Sequence, residues 1–143
     1  MSTTTMQAQA QQTIAENVYQ HTLALIEALK DNYRQHSIRS HQRSAEYGEN
    51  VEYHLRKIDE LKSGKCDIDY TIESGKKYHK VIMITSGRSR SVHCFIDKNT
   101  GSVLKSASWK APAKGERYNL LIIKEREWLF ENADWSGGYL YRR

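Results

Sequence analysis

Apolar positions in the first part of the chain recur at helical spacing. Ile14, Val18, Leu25, Leu29 and Tyr33 fall four or seven residues apart and Ile26 widens the stripe, which predicts an amphipathic helix from about Gln11 to Arg34. Gln35 to Arg43 breaks the pattern with polar residues and two histidines and reads as a loop. Ser44 is then placed to cap a second helix carrying Tyr47, Val51, Leu55, Ile58 and Leu61, with Lys62 in its last turn and Gly64 as a left-handed stop. The expectation is a helical hairpin over 13–64. Neither helix can bury its stripe alone, so each must pack on the other, on the second half of the chain or on a partner chain, and an oligomerisation arm is the expectation.

The period then changes from 3.6 to 2. Cys66, Ile68, Tyr70 and Ile72 alternate with Asp67, Asp69, Thr71 and Glu73, a half-buried strand. Tyr78 to Thr85 contains the unbroken run Val81 to Ile84 and suits a central strand. Val92 to Asp97 and Ser102 to Ala107 read as two more, separated by turn signals at 74–77, 86–90 and 98–101. Tyr118 to Asn132 reads as a helix, or a short strand leading into one, and Tyr139 to Tyr141 as an edge strand. The predicted class is α+β: a helical hairpin, then an antiparallel β-meander of about four strands with a short C-terminal helix, 65–143 forming a basic β domain. The Thr/Gln/Ala tract at 1–12 is expected to be disordered or frayed.

At 143 residues the chain suits one domain, with or without a helical appendage, and its 10% aromatic content excludes wholesale disorder. Two cysteines make no disulfide scaffold and point to a reducing compartment. No apolar run nears the roughly 18–20 residues of a membrane span, and the N-terminus lacks a signal-peptide pattern, so a soluble cytoplasmic protein is expected. Charge is unevenly spread. Residues 1–64 carry seven Lys/Arg and eight Asp/Glu, whereas Lys76 to Tyr118 carries ten basic residues and two acidic ones. That second stretch invites an anionic partner.

The segment Phe95-Ile96-Asp97-Lys98-Asn99-Thr100-Gly101 through Trp109-Lys110-Ala111-Pro112-Ala113-Lys114 to Arg117-Tyr118-Asn119 resembles a widespread group of small tailed-bacteriophage proteins. The shared pattern is an Asp-x-x-Thr-Gly turn, a short strand, Trp-Lys-Ala-Pro-Ala-Lys and then Arg-x-Asn. The ending Asp134-Trp135-Ser136-Gly137-Gly138-Tyr139 resembles the same group. The resemblance covers about half the chain, implies a phage origin with the host cytoplasm as its setting, and supplies no catalytic residues.

Candidate chemistry narrows quickly. A structural zinc site needs four ligands, and adjacent His93 and Cys94 on one strand should leave on opposite faces. His79 and His93 fall on neighbouring strands with no register that opposes them, and Cys94 sits where a small core residue belongs. The two Ser-Gly-Lys triplets lack the leading glycine of a phosphate-binding loop. No cofactor, metal or catalytic group is called. Anion binding is the stronger signal. Arg88 and Arg90 flank a serine at a hairpin tip, and Lys105, Lys110, Lys114 and Arg117 surround Trp109 with Tyr118 beside them. Basic residues among aromatics on a sheet suit single-stranded DNA or RNA, where charge follows the backbone and rings stack on bases. Trp109 as a core plug is the competing expectation.

The leading expectation is a non-enzymatic phage accessory protein binding single-stranded nucleic acid or a nucleotide-like anion, as a homo-oligomer. An anti-defence protein holding a small phosphorylated signalling nucleotide between protomers is the alternative, and a virion or assembly component a further one.

Overall fold

The computed structural model describes residues 3–141, with side chains from Met6 onward. Along the chain come α1 (Thr3–Tyr47), α2 (Val51–Lys62), β1 (Ile68–Ser74), β2 (Tyr78–Thr85), β3 (Ser89–Asp97), β4 (Ser102–Leu104), β5 (Tyr118–Asn119), α3 (Ile123–Asn132) and a 3₁₀ turn (Gly138–Tyr141). The strands form one antiparallel meander in the order β1-β2-β3-β4-β5. The class is α+β with a helical N-terminus and a short C-terminal helix.

The loop expected at Gln35–Arg43 is helix. Nothing between Thr3 and Tyr47 is glycine or proline, and Ile38 gives the polar stretch one buried anchor against Ile58 and Leu61 of α2. The reversal comes instead at Gly48 to Asn50, where Asn50 takes the left-handed conformation at φ 62°. Ser44 therefore lies inside α1 instead of capping a helix, and Tyr47 ends α1 almost fully exposed. Most of the 1–12 tract is the first turns of α1; Met1 and Ser2 lie outside the described residues.

The α1 stripe packs on the sheet. Val18, Leu25, Ile26 and Leu29 are buried with Ile68, Tyr70, Val81, Cys94, Ile96 and Val103 of the sheet and with Leu129 of α3. α1 is thus part of the β domain's own core, at roughly 1.5–3 kcal/mol for each large side chain fully buried. The edge is tied by Lys30 to Asp69 (3.1 Å) and by the Tyr33 hydroxyl donating to Asp67 (2.8 Å).

Register divides the sheet into two faces. Ile72, Val81 and Cys94 form one cross-strand row toward α1, and Glu73, Lys80, Phe95 and Leu104 form the next on the opposite face. A bulge interrupts the β2–β3 ladder: Val81 pairs with Cys94 and Ile82 with Val92, so His93 is the extra residue. This corrects the expectation that His93 and Cys94 diverge. His93 turns to the helix side, where its Nε2 shares a hydrogen bond with the Tyr139 hydroxyl (2.7 Å) and its ring meets Tyr70 edge-on. β4 stops at Leu104, shorter than expected, and Tyr139 to Tyr141 form a 3₁₀ turn instead of an edge strand. Two consecutive glycines at 137–138 leave that tail free to coil, and both Tyr139 and Leu140 are buried by it.

Candidate nucleic-acid interface

After β4 the chain makes a tight excursion. Ser106 bridges to Pro112, the Ala107 and Ser108 amides donate to the Ala111 carbonyl (3.0 and 3.1 Å), and the Ala113 amide donates to the Lys105 carbonyl (2.7 Å). The Ser108 hydroxyl accepts from the Lys110 and Ala111 amides at 3.3 Å. This small hairpin holds Trp109 and Lys110 at its tip. Trp109 is 42% exposed, so it is no core plug.

The ring lies beside the outer face of the sheet between two cations. Lys80 Nζ stands 4.7 Å from its centroid and the Arg90 guanidinium 5.8 Å. Lys80 also lies over Phe95 (5.9 Å), whose ring meets Tyr78 edge-on at 5.8 Å. Next to them opens a cleft of about 270 Å³, lined by Lys76, Lys77, Lys80 and Lys110, by the rings of Tyr78 and Phe95, and by one carboxylate, Glu73. Arg90 Nη2 donates to Glu73 Oε2 at 2.7 Å, with both side chains about half exposed. Four lysines facing one already-paired carboxylate leave an excess of positive charge beside the half-exposed Trp109 ring, while Tyr78 is half-buried and Phe95 buried beneath the lysines. Larger hollows of about 370 and 420 Å³ flank α1 and α2, but there Lys57 is met by Glu60 (3.4 Å) and Lys30 by Asp69 (3.1 Å).

Residues 2–142 match a family of unknown function across almost the whole chain. The chain belongs to the DUF7717 family. No curated protein and no solved structure matches it.

In this DUF7717 fold the basic and aromatic residues singled out from the sequence separate into two groups. Arg90, Trp109 and Lys110 share the outer face and cleft. Arg88 is exposed on the β2–β3 turn, with its amide donating to the Thr85 carbonyl (3.1 Å), and Lys114 is exposed beyond the Trp109 hairpin. The others point elsewhere. Lys105 lies over the Tyr141 ring at 4.5 Å, next to the C-terminal turn. Arg117 donates from Nε to the Leu140 carbonyl (2.8 Å) and from Nη1 to the Gly115 carbonyl (3.0 Å), which makes it a clamp on the tail. Tyr118 is buried, stacked on Trp128 at 5.1 Å, and its hydroxyl donates to the Tyr139 carbonyl at 3.1 Å. Arg117 and Tyr118 are therefore scaffold: strand alternation turns Tyr118 into the core beside Val103, its partner across the ladder.

Lys76, Lys77, Lys80, Tyr78, Phe95 and Glu73 of the cleft were not singled out from the sequence. The signal for Lys80 and Phe95 was available in strand alternation, since both fall out of phase with the core residues Val81 and Cys94. Their approach to Trp109 was not, because it depends on how the hairpin folds back.

The Asp-x-x-Thr-Gly and Arg-x-Asn elements of the same segment have a structural explanation too. Asp97 Oδ1 accepts the Asn99 and Thr100 amides (2.8 and 3.0 Å), and Gly101 takes φ 75°. A Cβ on Gly101 would stand 2.9 Å from the Leu121 Cγ. Asn119 donates to the Thr100 carbonyl (3.0 Å) and accepts the Leu121 amide (2.8 Å), so Asp-x-x-Thr-Gly and Arg-x-Asn lock one corner of the sheet together.

The histidines and cysteines are held by the fold. Burial brings His93 down to about 4 and pushes the Cys94 thiol up to about 12, leaving the imidazole neutral and the thiol a weak nucleophile near neutral pH. His79 pairs with Ile96, not with His93, and shares a hydrogen bond with the Ser74 hydroxyl (2.7 Å). Among the described residues no group of three or more His, Cys, Asp or Glu side chains could hold a metal ion. No helix there is long and apolar enough to cross a membrane.

Proposed function

We propose that this protein binds single-stranded nucleic acid across the outer face of its sheet, as a non-enzymatic accessory protein of phage origin. The observation that carries the reading is Trp109: a half-exposed indole at a hairpin tip, flanked by Lys80 and Arg90 and next to the four-lysine cleft. An exposed tryptophan between cations offers a stacking platform, and the lysines follow the phosphates on either side of the stacked base. Phage origin rests on the Trp-Lys-Ala-Pro-Ala-Lys resemblance.

Fluorescence anisotropy with a labelled nine-nucleotide thymidine tract tests it. Affinity should fall linearly in log salt, with a slope of about −0.7 for each phosphate neutralised on a single strand. Three or four contacts in the cleft would give roughly −2 to −3. Absence of binding at low salt would overturn the reading.

The cleft's modest volume of about 270 Å³ favours one second reading, a small phosphorylated nucleotide held by the same lysines. It would show equal affinity for a mononucleotide and a nine-mer, where the single-strand reading requires a gain with length.

A further inference from the structure

Glu73 is out of place in a site built for phosphates. Its carboxylate lines the lysine cleft and would repel a backbone phosphate there. It is nevertheless paired: Arg90 Nη2 donates to Oε2 at 2.7 Å, and the same guanidinium lies 5.8 Å from the Trp109 centroid. Ring, guanidinium and carboxylate thus form a chain in which the acceptor sits one side chain away from the stacking surface. An ionised carboxylate only accepts hydrogen bonds, and its two oxygens have about four lone-pair sites between them, so the Arg90 bond leaves capacity to spare.

We propose that Glu73 reads the edge of the base stacked on Trp109 and selects guanine; this rests on the single-strand reading above. The discrimination follows from the edges of the four bases. Guanine presents N1–H and N2–H side by side, two parallel donors that match the two oxygens of a carboxylate. Cytosine and adenine present one amine donor beside an acceptor nitrogen. Thymine and uracil present one N–H between two carbonyl oxygens, both of which a carboxylate repels. In an unpaired strand those edges are free to be read. Arg90 acts as a positioning residue in this scheme, and its charge offsets the carboxylate's repulsion of the flanking phosphates.

The test uses the full chain and nine-nucleotide thymidine tracts with one central position changed to dG, dI, dC or dA. Wild type should bind the dG tract about tenfold or more tighter than the all-thymidine tract. Inosine lacks the N2 amine, so the dI tract should lose most of that gain with the protein unaltered. Glu73→Gln should lose the dG preference, binding the dG and all-thymidine tracts with equal affinity. Equal wild-type affinity for all the tracts, or a dG preference that survives in Glu73→Gln, would overturn the base-reading role while leaving single-strand binding standing. No binding to any tract would overturn both. Because the dG-to-dI comparison needs no variant, a Glu73→Gln protein that failed to fold would not remove the test.

Discussion

Trp109 and Arg117 lie eight residues apart in one basic stretch, yet the fold gives them opposite tasks. Trp109 is 42% exposed and touches only cations in its ring contacts, so Trp109→Ala removes a surface ring. That variant should keep its unfolding free energy within about 1 kcal/mol of wild type and lose about 1–3 kcal/mol of oligonucleotide binding, with the salt slope unchanged. Melting and anisotropy on the same sample check both halves. Arg117 gives its guanidinium to the Leu140 and Gly115 carbonyls. Arg117→Ala should therefore destabilise the fold by roughly 1.5–3 kcal/mol, since a charged donor to the part-buried Leu140 carbonyl is lost. Its salt slope should match wild type wherever it is folded. The Lys76→Ala/Lys77→Ala double variant is the converse case, with a wild-type melt and a slope shallower by about one unit or more. A steep slope retained in that double variant would move the phosphate path out of the cleft.

At the scale of elements, period separated helix from strand, and turn chemistry located the β1–β2, β2–β3 and β3–β4 connections. Tyr78–Thr85 could be read to the residue because a run of branched aliphatics between Gly-containing turns has few alternatives. The long α1 was harder to read. Its polar middle carries no helix breaker, and the single apolar contact that anchors it, Ile38 on Ile58 and Leu61, lies across a turn. The bulge at His93 was likewise invisible, because the pattern of one strand does not record which partner residue is skipped. For the site, charge density marked the right half of the chain, but only register told cleft lysines from a clamp such as Arg117. The bulge has a measurable consequence. His93 is half-buried with desolvation bringing its value down to about 4, and desolvation also lowers His41, which shares a 2.8 Å contact with His54 across the α1–α2 pair. A folded-state value below the unfolded one near 6.5 means that the unfolded chain binds more protons. Stability from these groups is complete above about pH 7 and is lost as pH falls toward 4. Between pH 7 and 5 His93 alone should remove about 2 kcal/mol. Urea titrations at the two pH values measure this, and His93→Gln should flatten the difference if the variant is folded at pH 7.

At the scale of the whole molecule, the expectation of a homo-oligomer began from two apolar stripes with nothing to cover them. The first is covered within one chain apart from Ile14, and the second only in part. Val18, Leu25, Ile26 and Leu29 close the helix side of the sheet, and Ile58 and Leu61 pack on Ile38. What is left exposed on the helices is Tyr47, Val51 and Leu55 at the turn, at 86%, 41% and 51%, with Tyr53 beside them and Met6, Ile14, Tyr19 and Leu23 along α1. The three side chains at the turn alone fall well short of the roughly 800 Å² per partner that a stable interface of ordinary size buries. The expected sedimentation mass at tens of micromolar is therefore that of one chain, 16.6 kDa. This outcome also weighs between functions, because a protein that encloses a signalling nucleotide between protomers must associate, whereas one that stacks a strand on Trp109 need not. A dimer at micromolar concentration that Leu55→Asp dissolves would assign the interface to the hairpin turn. A dimer that Leu55→Asp leaves intact but nucleotide stabilises would bring the site between protomers back to the front.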